Sequence, residues 1–282
     1  MDLSGIIGIL FGAFMIFVGM ITGTETDAEG IKHIVFTMKN CGGFFDVTSI
    51  AVTIGGTIAA TLCCFPLGVF KNIGKHMGII FGKSKHDPKE YIDTIVSYAQ
   101  DARRQGILSL EDKVADQKNQ FLKSSIMLIV DAIEPAKTQA ILENELNNLD
   151  DRHMEGVKIY EKASSFAPAF GMIGTLIGLV NMLAGLDLNA ADGASKLTSG
   201  MAVALLTTFY GSIFANLFLT PFATKLRYKH AKEMICYQII VEGVLAIQAG
   251  DNPKNIEERL LAFLPQKERT KVAKGGKDKE DK

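Results

Sequence analysis

GMAVALLTTFYGSIFANLFLTPFA, residues Gly200 to Ala223, has no charged side chain from end to end. At ~1.5 Å of rise per residue, a helix of this length exceeds the ~30 Å hydrocarbon core of a bilayer. Three other runs share the property. LSGIIGILFGAFMIFVGMIT runs from Leu3 to Thr22, VTSIAVTIGGTIAATLCCFPLGVF from Val47 to Phe70, and a third run covers about Ala163 to Leu186. The first is no signal peptide by pattern: MDLSG carries no basic residue and no small-x-small cleavage site follows. Composition alone does not decide the class, since 48% of the 282 residues are hydrophobic, as in many soluble domains. Distribution decides it, because the apolar residues collect in uncharged runs and the charges lie between and after them. The expected fold is an all-α integral membrane protein with four transmembrane helices and long helical extensions into the cytoplasm.

Orientation follows from the basic residues beside the span ends. Lys71, Lys75, Lys83 and Lys85 follow the second span, and Lys225, Arg227, Lys229 and Lys232 follow the fourth. The loop after the first span holds only Lys32 and Lys39, and that after the third only Lys196. Both termini and the long central segment are therefore expected in the cytoplasm. The expected organisation is residues 1–70 for the first two spans and their outer loop, 71–162 for a cytoplasmic helical domain, 163–223 for the third and fourth spans, 224–265 for C-terminal cytoplasmic helices and 266–282 for a charged, disordered tail.

In the central segment Ile92, Ile95, Val96, Ala99 and Ala102 repeat at helical spacing, and Gly106 is placed to end that helix. A second helix is expected from Leu110 and a break at Pro135. From Ala136, Leu142, Leu146, Leu149, Val157 and Tyr160 continue a helix that nothing interrupts before the third span, ~75 Å in all at ~1.5 Å per residue. The fourth span is expected to continue to Gln248, where AGDNP, Ala249 to Pro253, signals a turn. A short amphipathic helix with Ile256, Leu260 and Leu261 on one side follows.

Small residues mark helix-packing faces in lipid. Gly8 and Gly12 form a G-x-x-x-G pair, as do Gly174 and Gly178; Ala167, Gly171, Thr175 and Gly178 share a face of the third span, and Ala204, Thr208, Gly211 and Ala215 one of the fourth. Packing within one chain and oligomerisation both use such faces.

The chemistry is sparse. The net charge of -1 argues against nucleic acid as a partner. No P-loop, nucleotide fingerprint or nucleophile elbow is present, which counts against an enzyme. Cys41, Cys63, Cys64 and Cys236 have no C-x-x-C spacing and read as small hydrophobes; His33, His76, His86, His153 and His230 are scattered without helical metal-ligand spacing. No span has an Asp, Glu, Lys, Arg or His in its core, although moving a cation usually needs a carboxylate at membrane depth. Hydroxyls are available instead. Thr175 and Thr208 lie deep in the third and fourth spans, with Thr207 and Ser212 beside the latter, and threonine oxygens suit hard cations such as sodium. Each hydroxyl can equally bond its own helix backbone at i−4. Pro168 and Pro221, at matching depth, free the carbonyls of Ser164 and Leu217, as a kink, a hinge or an ion exit path. Asp46, at the outer mouth of the second span, is placed to attract cations or to cap that helix. In DARRQGILSLED, Arg103 and Arg104 precede a glycine turn and Glu111 and Asp112 follow it; the pattern suits a docking face or a solvated loop with weak local pairs.

These residues resemble a known family. APAFGMIGTLIGLV (Ala167 to Val180) is similar to the third span of the flagellar stator subunits MotA and PomA, and Gly200 to Ala223 to their fourth. FFDVTSI (Phe44 to Ile50) resembles the start of their second span, and VEGVLAIQAGDNP (Val241 to Pro253) their C-terminal signature. The resemblance implies a bacterial inner-membrane pentamer around the single spans of two MotB- or PomB-type chains, which bring the ion-binding aspartate. It implies that ion flow turns the ring against the rotor protein FliG, with Arg103, Arg104, Glu111 and Asp112 as rotor-facing charges and Pro168 and Pro221 as coupling residues. Threonine at 175 and 208 matches the sodium-type members, since a dehydrated sodium needs several oxygens and a proton none; sodium is the expected ion and a proton the alternative, with no other cofactor. Two departures stand out: a longer outer loop, Gly23 to Phe45, and Val114 where PomA-like chains have a further acidic residue. The ExbB and TolQ class is a rival, but those chains normally have three spans. A purely structural scaffold is another.

Overall fold

The computed structural model describes residues 3–26, 32–36, 38–83, 86–185, 193–266 and 269. Four helical stretches are long and apolar enough to cross a membrane: Leu3–Ile21, Cys41–Cys64, Pro135–Ala184 and Leu197–Gln248. The protein is an all-α integral membrane protein, and its third and fourth transmembrane helices continue into long polar extensions. The charged tail lies outside the described residues apart from Gln266 and Arg269, as does most of the loop between the third and fourth spans.

The described residues fall into two compact units, one from 1–83 and 154–227, the other from 84–153 and 228–282. The first holds the four apolar spans. None of the apolar window of Leu3–Ile21 is fully buried within the chain, and Leu3, Ile7, Leu10, Phe11 and Phe14 are all exposed, while Gly5 and Gly12 on its other side approach Lys225 and Leu217. Thr22–Thr26 pairs antiparallel with Lys32–Phe36, Thr22 opposite Phe36, as its β-branched threonines, isoleucine and valine favour. A 3₁₀ helix, Met38–Phe44, then leads into the second span.

That span ends earlier than hydropathy predicts. The helix stops at Cys64, Phe65 is extended at φ −130° and ψ 144°, and Leu67–Phe70 forms a separate turn. Pro66 is the cause, because its ring disfavours helical geometry at the residue before it. Deeper in this unit, Val157, Tyr160, Ala163 and Ala167 of the third helix pack with Ala215, Leu219, Ala223 and Leu226 of the fourth and with Ile80.

The second unit is a polar-surfaced helical domain. Pro88–Gln105 starts at an Asp87 N-cap that accepts from Lys89 N at 3.0 Å and stops at Gly106, whose φ of 89° favours glycine. The single helix expected from Leu110 is two, Leu110–Val114 and Gln120–Val130. Asn119 separates them by capping the second, its side chain accepting from Leu122 N at 3.1 Å. The long helix Pro135–Ala184 begins at its proline, where the missing N–H costs nothing. Leu110, Leu122, Ile126, Leu142, Ile239, Ile240, Ile256 and Leu260 form a core from which water is excluded. Gly250, at φ 76°, and the Asn252 cap turn the chain into Pro253–Leu261 as the AGDNP pattern predicts.

Candidate functional site

The third and fourth spans meet backbone to backbone. A Cβ on Gly178 would lie 2.7 Å from the Gly200 carbonyl oxygen and from Ala204 N, and one on Gly211 would lie 2.6 Å from the Ala167 carbonyl oxygen. Ala167, Ala204 and Ala215 are buried at the same seam. The small faces read from sequence therefore serve contact within the chain. One hydroxyl is exchanged relative to that reading. Thr207, wholly buried against Gly174, occupies the seam, whereas Thr208 is exposed and Thr175 half-buried. The ~100° step between successive helical residues decides which of two adjacent threonines faces the neighbour.

All three threonines bond their own helix. Thr175 Oγ1 donates to the Met172 carbonyl at 2.6 Å and lies 3.2 Å from that of Gly171; Thr207 Oγ1 lies 3.0 Å from both the Val203 and Ala204 carbonyls; Thr208 Oγ1 lies 3.5 Å from that of Ala204. Such a bond uses the hydroxyl proton and leaves lone pairs on the oxygen. Back-bonding and cation coordination are thus compatible at Thr175 and Thr208, which do not face the seam.

The second span supplies a feature the sequence reading passed over. Ser49, Thr53, Thr57 and Thr61 recur every fourth residue and are all buried. Thr53, Thr57 and Thr61 donate to the carbonyls of Ser49, Thr53 and Thr57 at 2.8, 2.6 and 2.7 Å. Thr53 Oγ1 also lies 3.3 Å from the Thr207 carbonyl oxygen, joining this stripe to the fourth span. The signal was present as four hydroxyls at i, i+4 spacing. Beside it the helix widens to a π turn at Ala51–Gly55. At the head of the stripe Asp46 caps the span, its Oδ2 accepting from Ser49 N at 2.7 Å. Tyr210 of the fourth span receives a bond from Asp46 N at 3.2 Å and donates to the Phe44 carbonyl, which fixes where the second span starts.

The prolines lie in different helical settings. Pro168 sits inside the continuous helix Pro135–Ala184, where its ring removes the bond to Ser164. Pro221 follows a π-helical stretch, Phe214–Leu219, that changes the hydrogen-bond register just before it. One turn before Pro168, Ser164 Oγ lies 2.7 Å from Oγ1 of Thr220, the residue preceding Pro221. A hydroxyl pair thus ties the two proline-disrupted segments together.

In the second unit Arg103, Arg104, Glu111 and Asp112 are all exposed around the Gly106 turn. Among the described residues an ion pair from Lys113 to Asp101 spans this turn, and none joins the two arginines to Glu111 or Asp112. Leu108, 73% exposed, projects from the same turn. Val114 does not belong to this face, because it is fully buried in the core.

Residues 113–238 match the model of the MotA/TolQ/ExbB proton channel family. Chemotaxis protein PomA of Vibrio alginolyticus is 36% identical over 94% of this chain and 96% of its own length. Motility protein A of Treponema phagedenis is 35% identical over 96% of this chain and 97% of its own. The flagellar MotAB stator complex of Bacillus subtilis includes a chain that superposes with a TM-score of 0.81 at 30% identity, covering 96% of this chain and all of that one. Near-complete coverage at this identity, on a shared fold, shows that the chain belongs to the MotA/PomA family of flagellar motor stator subunits.

Proposed function

We propose that this chain is the ring-forming subunit of a sodium-driven flagellar stator in the bacterial inner membrane, with both termini cytoplasmic. The carrying observation is the chemistry of its spans: hydroxyls at Thr175 and Thr208 off the packed seam, and no Asp, Glu, Lys, Arg or His in the core of any span. Hydroxyls supply neutral oxygens for a partly dehydrated cation, but not the carboxylate that binds and releases it at membrane depth. A MotB- or PomB-type partner dimer, surrounded by five copies of this chain, supplies that aspartate. The apolar side chains of Met172, Leu176, Val180 and Leu205, all exposed on the single chain, then meet lipid, partner or neighbouring copies. Asp46 stands at the outer entrance, and Thr207 holds the third and fourth spans at close spacing beside the path. Pro168 and Pro221, tied through Ser164 and Thr220, convert ion passage into movement. Arg103, Arg104, Glu111 and Asp112 present it to FliG.

The test is swimming, or ion flux through the reconstituted complex, with sodium present and with sodium replaced by potassium. Loss of function without sodium is expected, and full function in sodium-free medium would overturn the ion assignment. Thr175→Ala is expected to impair sodium-dependent motility and Thr175→Ser to retain most of it. A passive scaffold instead predicts that Thr175→Ala and Pro168→Ala leave motility unchanged.

A further inference from the structure

Three polar side chains converge between two helices of the second unit, well beyond the apolar run of either span. The long third helix brings Asp150 and His153, one turn apart; the helix continuing the fourth span brings His230 and Glu233, also one turn apart. His153 and His230 are separated by most of the third and fourth spans in sequence, yet their Nδ1 atoms are 3.2 Å apart. His153 Nδ1 is 3.5 Å from Glu233 Oε2, and ligand atoms of His153, His230 and Glu233 all lie within 4.8 Å of one another. We propose that His153, His230 and Glu233 form a binding site for a divalent transition-metal ion of the zinc class, clipping the two helices together.

Two of the three ligand separations fit the ion, and the third lies within 4.8 Å. Zinc bonds nitrogen and carboxylate oxygen at ~2.0–2.2 Å, which places neighbouring ligand atoms of a tetrahedron ~3.3–3.5 Å apart. The 3.2 and 3.5 Å separations are such edges. Two imidazoles and one carboxylate are a zinc ligand set that leaves a fourth position for water. The His153 side chain, 38% exposed, leaves that side open, while the His230 side chain is 8% exposed.

The surrounding groups orient these ligands as metal sites require. Asp150 Oδ1 lies 2.6 Å from His230 Nε2. A carboxylate oxygen accepts, so the tautomer with its proton on Nε2 turns the Nδ1 lone pair toward His153. Glu233 Oε1 accepts from Tyr237 OH at 3.1 Å and lies 3.3 Å from His86 Nε2, which leaves Oε2 for the site. Without metal, the Nδ1 proton of His153 fills the gap between two acceptors. On binding, that proton leaves Nδ1 and Nε2 takes one up, with no net change in protonation. Burial holds the His153 pKa below its ordinary value. Burial acts to raise that of Glu233, but the contacts with His86, His153 and Tyr237 outweigh it and hold it below its ordinary value.

The full chain, purified in detergent and stripped with chelator, is dialysed against zinc chloride and, separately, cobalt chloride. One zinc per chain is expected, with a cobalt visible spectrum of nitrogen and oxygen ligation lacking thiolate charge-transfer bands. His153→Gln and Glu233→Gln are each expected to weaken zinc binding by at least about tenfold and Asp150→Asn by about tenfold, with helical circular dichroism unchanged. Zinc should raise the melting temperature of the unmutated chain and not that of the variants. Zinc retention equal in the unmutated chain and both first variants, no retention, or a cobalt spectrum of thiolate ligation each overturns the proposal. If His153→Gln misfolds, Glu233→Gln and the cobalt spectrum of the unmutated chain decide. The test does not depend on the motor reading.

Discussion

Adjacent residues of one type separate by environment. Thr207 and Thr208 differ by one helical step, yet the first is sealed against Gly174 and the second is exposed. Thr207→Val keeps the shape and loses the bond to the helix, whereas Gly211→Ala places a methyl against the Ala167 carbonyl. Overpacking of that kind costs ~1–3 kcal/mol, so Gly211→Ala should lower the thermal midpoint of the purified stator complex while Thr207→Val leaves it nearly unchanged. The four cysteines separate as well. Cys236 is fully buried, and burial pushes its thiol up to about 12. The thiolate is the nucleophile, so at neutral pH Cys236 should resist maleimide in the folded protein and react once denaturant opens the domain. Labelling of Cys236 in the native state would contradict the described core.

At the scale of elements, ends are set by single residues and lengths by hydropathy. Gly106, Pro135 and the Asn252–Pro253 pair end or start helices where their backbone preferences predict. Pro66 and Asn119 cut helices that hydropathy alone runs together. Asn119→Ala removes a cap, which typically costs ~1 kcal/mol, and should lower the melting temperature of the chain; Asn119→Asp should retain most of it. Leu110→Ala, at a site with no exposed surface, is expected to cost ~2–5 kcal/mol by leaving a cavity. The resulting loss of motility should follow reduced protein level rather than altered ion preference, which immunoblotting of membranes against swimming in graded sodium distinguishes.

At the scale of the whole molecule, exposed charge and buried core are separable. Arg103, Arg104, Glu111 and Asp112 take part in no core, and surface substitutions of this kind change stability by within about 0.5 kcal/mol. Reversing Arg103 and Arg104 to glutamate should therefore abolish or sharply reduce swimming at normal membrane levels of the protein, with ion flux retained. A compensating reversal of rotor charges should restore part of the motility. Unchanged swimming would remove these residues from the rotor face.

The sequence by itself determined the four apolar spans and the helix boundaries at Gly106, Pro135 and Pro253, because each depends on local length, periodicity or backbone preference. The small faces of the third and fourth spans were legible for the same reason, but their meeting within one chain rather than between copies came from the structure. Only tertiary structure decided which threonine faces the seam, because a single helical step is finer than any hydropathy pattern. It alone seated the hydroxyl stripe of Ser49 to Thr61 against the Thr207 carbonyl. It alone gathered His153, His230 and Glu233, whose separation along the chain carries no local signal. Their meeting depends on two helices lying side by side, which follows from packing rather than from neighbouring residues.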